Sequence, residues 1–183
     1  MNAPHTPELA AVLDAAAAQR QIDAQWDGDI LRQLTDYIAI PAKSLAFDPA
    51  WAQHGFIDTV VRNAAAWVEA QKVPGLRLEV IRVEGRTPVI FFEIAGTKPG
   101  ATQTALMYGH LDKQPEFSGW RADLGPWTPK LEDGKLYGRG GADDGYAVYA
   151  AIAAVQALKA QKLPHPRIVG LIETSEESGS PDL

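Results

Sequence analysis

The sequence predicts an α/β protein, a three-layer sandwich in which helices flank a mixed, mostly parallel central sheet. Two observations support this fold class. Segments with helical periodicity alternate with short strands, and the strands are nearly continuous apolar runs, which is typical of strands buried on both faces. A chain of 183 residues with 46% hydrophobic content is long enough for one domain with a substantial core and too short for two ordinary ones.

The first third of the chain is predicted to be helical. Ala, Leu, Gln and Arg dominate residues 8–25 and favour a first helix. Apolar residues recur at helical spacing in residues 29–40, which Pro41 ends, and again in residues 56–71, which are followed by Pro74 and a glycine. We interpret the apolar faces of these helices as core packing.

Strands dominate the next part of the chain. Residues 76–83 and 88–95 predict two strands joined by a hairpin turn at 84–86. A further turn at 96–100 leads into a third strand that begins at residues 104–108. Residues 136–139 predict a short strand, Ala147–Leu158 a helix, and 167–172 a last buried strand.

Composition excludes several classes of function. The net charge is -6, with 17 basic and 23 acidic residues and no Lys/Arg cluster, which argues against a nucleic-acid partner. The absence of cysteine excludes disulfides and thiolate ligands, so that any metal must be bound by His and carboxylates. Residues 1–20 lack the pattern of an export signal, and the longest apolar stretch is far shorter than the ~20 residues of a membrane span. We therefore predict a soluble, cytoplasmic protein without a membrane partner.

His110 and Asp112 follow the third predicted strand. Residues two apart in an extended segment share a face, so both side chains can point into the crevice beyond the strand, where such sheets usually bind ligands. A metal-bound imidazole commonly donates its other N–H to a carboxylate, so the pair could supply a ligand and its support. A polar loop with a solvated aspartate is the structural alternative, and this spacing alone is weak support for a metal site.

Asp143 and Asp144 lie between a glycine-rich turn and a predicted helix. One aspartate at this place is an ordinary N-cap, which contributes about 1 kcal/mol. A carboxylate there could also bridge two cations through its two oxygens. The residues from Gly138 onwards resemble the start of a dinucleotide-binding GxGxxG loop, but Asp143 takes the place of the third glycine, where its charge would repel a pyrophosphate. We therefore favour a metal site over a nucleotide site.

Glu176 and Glu177 follow the last predicted strand. Two adjacent carboxylates near a core repel each other unless a cation neutralises them or one is protonated. One glutamate would be a metal ligand and the other a general base that holds the attacking water. A surface turn with Ser178 and Gly179 is the structural alternative. Each cluster alone is more often structural, but three clusters at successive strand ends predict one shared metal site.

These motifs resemble those of the dinuclear zinc metallopeptidase family, which includes carnosinase-type dipeptidases, carboxypeptidase G, acetylornithine deacetylase and succinyl-diaminopimelate desuccinylase. The resemblance covers roughly residue 30 to the C-terminus, with three motifs in the family's order at 109–115, 136–145 and 176–180. Gln114-Pro115 and the tryptophan-rich loop after them are most similar to the dipeptidase branch. The fold implied is a phosphorylase/hydrolase-like zinc peptidase catalytic domain.

The resemblance implies two divalent metal ions, most typically Zn²⁺, although Mn²⁺ and Co²⁺ also suit His and carboxylate ligands. His110 would bind one ion, Glu177 the other, and Asp143 would bridge them, with a cis peptide bond after it. Asp112 would steady the imidazole. Glu176 would be the base that activates a water for attack on the scissile amide and then passes the proton to the leaving amine.

Two departures from the family pattern bear on these expectations. Gly145-Tyr146 follow the aspartate pair where many relatives carry a lysine, which is not a metal ligand. The family also needs a later aspartate and a C-terminal histidine to complete its metal sites, with a dimerisation domain inserted between them. We therefore expect residues 1–183 to be the N-terminal part of a catalytic domain, in which each zinc keeps two of its three protein ligands and an apolar sheet edge is exposed.

The sequence thus predicts metal-dependent hydrolysis of dipeptides or N-acyl amino acids, with small peptides or acyl-amino acids as substrates and a homodimer as the full-length form. Two alternatives stay open. The chain could be a truncated product with little or no activity, or a non-catalytic binding domain that retains the fold. The preferred substrate and the identity of the metal stay open as well.

Overall fold

A computed structural model describes residues 12–97 and 102–183, in which helices pack on a mixed sheet. The helices are α1 (Ala15–Gln25), α2 (Leu31–Ile38), α3 (Trp51–His54), α4 (Phe56–Ala70) and α5 (Ala147–Ala160). A π-helical turn, Trp26–Ile30, joins α1 to α2 without a loop, which sequence periodicity did not predict. Residues 8–11 of the first predicted helix lie outside the described residues. The helices predicted in the remaining segments are confirmed.

The strands are β1 (Leu76–Ile81), β2 (Val89–Ile94), β3 (Thr104–His110), β4 (Lys130–Glu132), β5 (Lys135–Tyr137) and β6 (Arg167–Glu173). Four of them form one sheet in the order β1-β2-β6-β3, and β4 and β5 form a separate hairpin. The strand at 136–139 was predicted and is β5, whereas its short partner β4 was not predicted.

The sheet is mixed, as predicted, but it contains fewer parallel pairings than the alternation of helices and strands indicated. Strand β1 pairs antiparallel with β2 because a tight turn containing Gly85 joins them. Strand β2 also runs antiparallel to β6, and the one parallel pair is β3 with β6. Helix α5 forms the crossover between these two parallel strands, so the βαβ pattern read from the sequence applies only to this half of the sheet.

The core lies against one face of the sheet. Ile90, Phe92 and Ile94 of β2 are at most 1% exposed and pack in one cluster with residues of α2, α4 and α5. The opposite face carries partly exposed apolar side chains such as Leu171 and, on the edge strand β3, Leu106, which is 64% exposed. Within residues 12–97 and 102–183, the helices therefore supply one of the two flanking layers of the predicted sandwich, and the apolar edge expected from the sequence is present.

Strands β3 and β6 position the candidate site, because parallel strands end at the same edge of a sheet. His110, the last residue of β3, lies opposite Glu173, the last residue of β6. The loops that leave these two strands therefore start side by side. Among the described residues, no helix combines the length and apolar character needed to cross a membrane.

Candidate metal centre

Three side chains from three different segments converge beyond the ends of β3 and β6. His110, Asp143 and Glu177 each direct one potential ligand atom into a group whose atoms all lie within 4.8 Å of one another. His110 is buried, Asp143 is exposed, and Glu177 is half-buried. The structure thus brings together the three residues that the sequence nominated as metal ligands. Their role as ligands stays a prediction.

His110 presents one nitrogen to this cluster and uses the other for support. Its Nδ1 lies 3.0 Å from the backbone oxygen of Asp112 and 3.4 Å from the Asp112 carboxylate. Its Nε2 lies 3.3 Å from Oδ1 of Asp143 and 3.6 Å from Oε2 of Glu176. A proton on Nδ1 therefore bonds to the Asp112 carbonyl, which leaves Nε2 free to face the carboxylates.

Asp112 is fully buried and does more than the steadying of the imidazole that the sequence predicted. Its two carboxylate oxygens accept hydrogen bonds from the backbone amides of Glu176 at 3.2 Å and Glu177 at 3.0 Å. Burial opposes its charge, yet hydrogen bonds from His110 and Ser44 hold the pKa of Asp112 below its usual value. One charged carboxylate therefore fixes the histidine and the acidic loop relative to each other.

Hydroxyl groups also hold the loop that carries Glu176 and Glu177. The side chains of Ser44 and Ser178 are 2.5 Å apart, and Ser178 also accepts a hydrogen bond from the amide of Ala46. At the base of the loop, the buried carboxylate of Glu173 accepts hydrogen bonds from Tyr108, Ser175 and Ser180. Tyr108 belongs to β3, and the two serines lie on either side of the glutamate pair. The acidic loop is therefore anchored on both sides.

The loop of Asp143 approaches β3 closely because residue 109 is glycine. A Cβ atom at Gly109 would lie 2.9 Å from the Asp144 carboxylate and 2.5 Å from Cβ of Ala147, at the start of α5. The Asp143–Asp144 peptide bond is cis, as the family resemblance implied. A backbone hydrogen bond closes the loop: the amide of Gly145 donates to the carbonyl of Gly140 at 2.8 Å. Asp143 thereby reaches the imidazole of His110.

The site concentrates negative charge around a single imidazole. Burial is the main reason why the pKa of Glu177 and the pKa of Asp144 are both raised, and the charge of Asp143 adds to both shifts. Burial also opposes the charged imidazole, but the neighbouring carboxylate and carbonyl of Asp112 outweigh it and raise the pKa of His110 to about 9. The arrangement favours a cation at this position.

The donor set fits a divalent metal ion of the zinc type. Imidazole nitrogens and carboxylate oxygens are both protein ligands of catalytic zinc, and each lies roughly 2.0–2.2 Å from the ion. Two ligands of one ion are therefore at most about 4.4 Å apart. In the two-ion arrangement that the resemblance implies, His110 and Asp143 would share one ion and Asp143 and Glu177 the other, so the observed limit of 4.8 Å requires only a small movement of the side chains of Asp143 and Glu177, which reach solvent.

Several residues of the site were missed by sequence reasoning. Gln114 donates a hydrogen bond of 2.5 Å to the carboxylate of Glu177. Ser44 holds the acidic loop from a segment that carries no metal-ligand motif, and Glu173 holds it from its base. The hydrogen bond of Ser44 joins residues 134 positions apart in the chain, so no local spacing could have revealed this contact. The position of Glu173 at the end of a buried strand was the one feature of the sequence that could have identified it as a residue of the site.

Metal binding at this site is expected to release about one proton from His110 at pH 7, because zinc binds neutral imidazole. The pKa of about 9 leaves the metal-free imidazole protonated below that pH, so the apparent zinc affinity should rise with pH, by roughly tenfold per unit between pH 7 and 9. Calorimetry of the 183-residue chain in two buffers of different ionisation enthalpy would measure the proton release. Equal heats in the two buffers would contradict this assignment.

Comparisons with known proteins find a family match in the second half of the chain. Residues 106–183, which contain all the residues of the metal cluster, match the model of Peptidase family M20/M25/M40. The chain is 35% identical over 173 residues to Beta-Ala-His dipeptidase of Homo sapiens, covering 87% of this chain and 32% of that protein. It is 41% identical over 81 residues to succinyl-diaminopimelate desuccinylase of Methylobacillus flagellatus, covering 44% of this chain and 22% of that protein.

The fold is also similar to the solved structure of a dipeptidase. The crystal structure of human carnosine dipeptidase 1 superposes with a TM-score of 0.72 and 31% sequence identity, over 92% of this chain and 36% of that chain. The resemblance stated from the sequence motifs is thereby confirmed. The chain spans about a third of the length of the dipeptidase that it matches.

Proposed function

Because residues 106–183 match Peptidase family M20/M25/M40, we propose that the chain is the N-terminal part of a metal-dependent peptidase catalytic domain. The observation that carries the proposal is the convergence of His110, Asp143 and Glu177, three residues that lie far apart in sequence. Together with the family match, this donor set supports a divalent metal ion, and in this proposal His110, Asp143 and Glu177 would hold two zinc ions. The full-length protein, in this proposal, is a homodimer.

The proposed reaction is hydrolysis of the amide bond of a dipeptide or an N-acyl amino acid. Bound zinc supplies electrophilic polarisation of the scissile carbonyl and lowers the pKa of a water molecule. Glu176 acts as the general base. Its carboxylate lies 3.6 Å from Nε2 of His110 and does not belong to the group of ligand atoms. Its side chain is 41% exposed, so that it can reach a water and a substrate. It accepts the proton of the attacking water and donates it to the leaving amine.

The remaining residues of the site orient these groups. Asp112 holds the backbone of Glu176 and Glu177 in place through the two amide hydrogen bonds and keeps His110 in one tautomer. Gln114 restrains the carboxylate of Glu177. This restraint reduces the number of rotamers open to the Glu177 side chain, so less reordering of this ligand is needed during the reaction.

Zinc titration of the 183-residue chain and hydrolysis assays of a full-length version test the proposal. We expect zinc uptake by the chain, and we expect the full-length protein to hydrolyse β-Ala-His or an N-succinyl amino acid, with activity lost on chelation and restored by zinc. Zinc binding without hydrolysis of either substrate class would favour the non-catalytic binding domain. Absence of zinc binding in both versions would remove the metallopeptidase assignment.

A further inference from the structure

A lysine lies buried beside the candidate metal centre without a carboxylate partner. Lys113 follows Asp112 in the chain and is fully buried. Lysine is almost never buried in this way unless its charge is paired. Among the described residues, no carboxylate forms an ion pair with Lys113, so its ammonium must be stabilised by other groups.

The ammonium instead binds the C-terminal end of α2. Nζ donates to the backbone oxygens of Tyr37 and Ile40, both at 2.7 Å, and lies 3.4 Å from that of Ile38. The last carbonyls of a helix lack intrahelical partners and carry partial negative charge, which a cation satisfies. The Tyr37 ring, 3.9 Å from Nζ, and the Trp127 ring, at 5.3 Å, add cation–π attraction.

Lys113 contacts or adjoins every segment that carries a proposed metal ligand. Its backbone continues the segment of His110, and the next residue, Gln114, contacts the carboxylate of Glu177. Its alkyl stem packs on Gly140, where a Cβ atom would come within 2.8–2.9 Å of the stem, and Gly140 closes the loop of Asp143. A glycine at residue 140 thus allows the lysine stem to run beneath that loop.

We propose that Lys113 is a positioning residue of the metal centre, whose ammonium fastens the ligand-bearing segments to the end of α2. The inference rests on the proposed function, since it concerns the same metal site. A parallel link comes from the Tyr37 hydroxyl, which donates to the carbonyl of Leu111 at 3.1 Å. The two contacts make helix α2 a rigid support for the loop between His110 and Gln114.

This fastening does not depend on the charge of the lysine. Burial lowers the pKa of Lys113 to about 7. A neutral amine retains two N–H donors, which match the two carbonyls at 2.7 Å, so both protonation states keep the principal contacts. Removal of the amine, in contrast, takes one hydrogen bond from each of these carbonyls, which keep only their backbone donors, the amides of Ile40 and Ala42.

The test compares zinc affinity in Lys113→Met with that of the unaltered 183-residue chain, by calorimetry well below the unfolding temperature of either. Methionine keeps the length and apolar character of the stem but has no donor. We expect the zinc affinity to fall about 10- to 100-fold, as for other partners that orient metal ligands. Lys43→Met is the matched control, because Lys43 forms a β-bridge with Lys113 but its ammonium pairs with the partly exposed Glu116. We expect this control to bind zinc within about twofold of the unaltered chain.

A second measurement needs no variant. If the end of α2 supports the metal centre, zinc must in turn stabilise that end, because coupling between two sites is reciprocal. Hydrogen exchange of the backbone amides of Ala39, Ile40 and Ala42, which are hydrogen-bonded in the structure, should slow on addition of zinc, whereas exchange in β1 should not change. Unchanged exchange at residues 39–42 would overturn the inference even if Lys113→Met failed to fold.

The outcomes separate the inference from the proposed function. If the unaltered chain took up no zinc, both would fail. If it took up zinc and Lys113→Met bound it as tightly, the inference alone would fail. A fall in unfolding temperature with unchanged zinc affinity would also overturn it, because that result describes a lysine that stabilises the fold without positioning the metal ligands.

Discussion

A full-length protein that carries Glu176→Gln is expected to retain its zinc and to lose turnover by roughly 10²- to 10⁴-fold, the usual contribution of a general base. Glutamine has the shape of glutamate but cannot accept the proton of the attacking water. Glu176 lies outside the group of ligand atoms formed by His110, Asp143 and Glu177, so metal content should not change. Steady-state kinetics with a dipeptide and metal analysis of the same preparation measure both quantities.

The Michaelis constant adds a further expectation for this variant. Since the proton transfer takes place only after the substrate is bound, kcat should fall and KM should change little. Glu79→Gln, an exposed glutamate of β1 at the far edge of the sheet, serves as the control and should retain normal turnover. Near-normal turnover in Glu176→Gln would assign the base to another group. Loss of zinc together with activity would instead make Glu176 a ligand.

The convergence of the site could be predicted from the sequence because it follows from the direction of two strands. Apolar runs identify β3 and β6, and their polar ends identify His110 and the glutamate pair. Once the strands are parallel neighbours, their ends must meet, and the structure places His110 opposite Glu173, three residues before Glu176. Asp143 belongs to the crossover between these strands and reaches the same edge for the same reason.

The supports of the site could not be predicted in this way. Tyr37 and Lys113 are 76 residues apart, and the hydrogen bond between them joins a side chain to a backbone oxygen. Such a bond leaves no periodic pattern and no pairing of opposite charges in the sequence. Ser44 is a comparable case, because its contact with Ser178 depends on how the segment after α2 crosses the ends of the strands.

The direction of the other strands also depended on information beyond local pattern. The run at β2 is apolar on both faces except for Glu93, which favoured parallel strands under two helical layers, whereas the turn at 84–86 predicted a hairpin of β1 with β2. Glu79 and Arg77 on β1 already showed some alternation, and the turn at Gly85 is too short for a crossover, so that this pair must be antiparallel. The mixed character of the sheet follows from turn length as much as from strand composition.

His110→Ala is expected to weaken zinc binding by more than about 100-fold, since even a residue that merely supports a ligand contributes roughly 10- to 100-fold. The substitution removes the single nitrogen donor of the cluster and leaves the carboxylates of Asp143 and Glu177 facing each other without it. It also removes the proton-releasing group, so the difference in heat between two buffers at pH 7 should disappear together with the affinity. Calorimetry of the 183-residue chain tests both effects.

A second histidine provides the control for this prediction. His54 also lies beside a carboxylate, with Nδ1 2.8 Å from Asp48, but it stands at the end of α3 and its side chain is 51% exposed. His54→Ala should therefore leave zinc affinity and proton release unchanged. Equal losses in the two variants would point to nonspecific binding of zinc by surface histidines. Unchanged affinity in His110→Ala would mean that the carboxylates bind the ion without the imidazole, and the assignment of His110 as a ligand would be wrong.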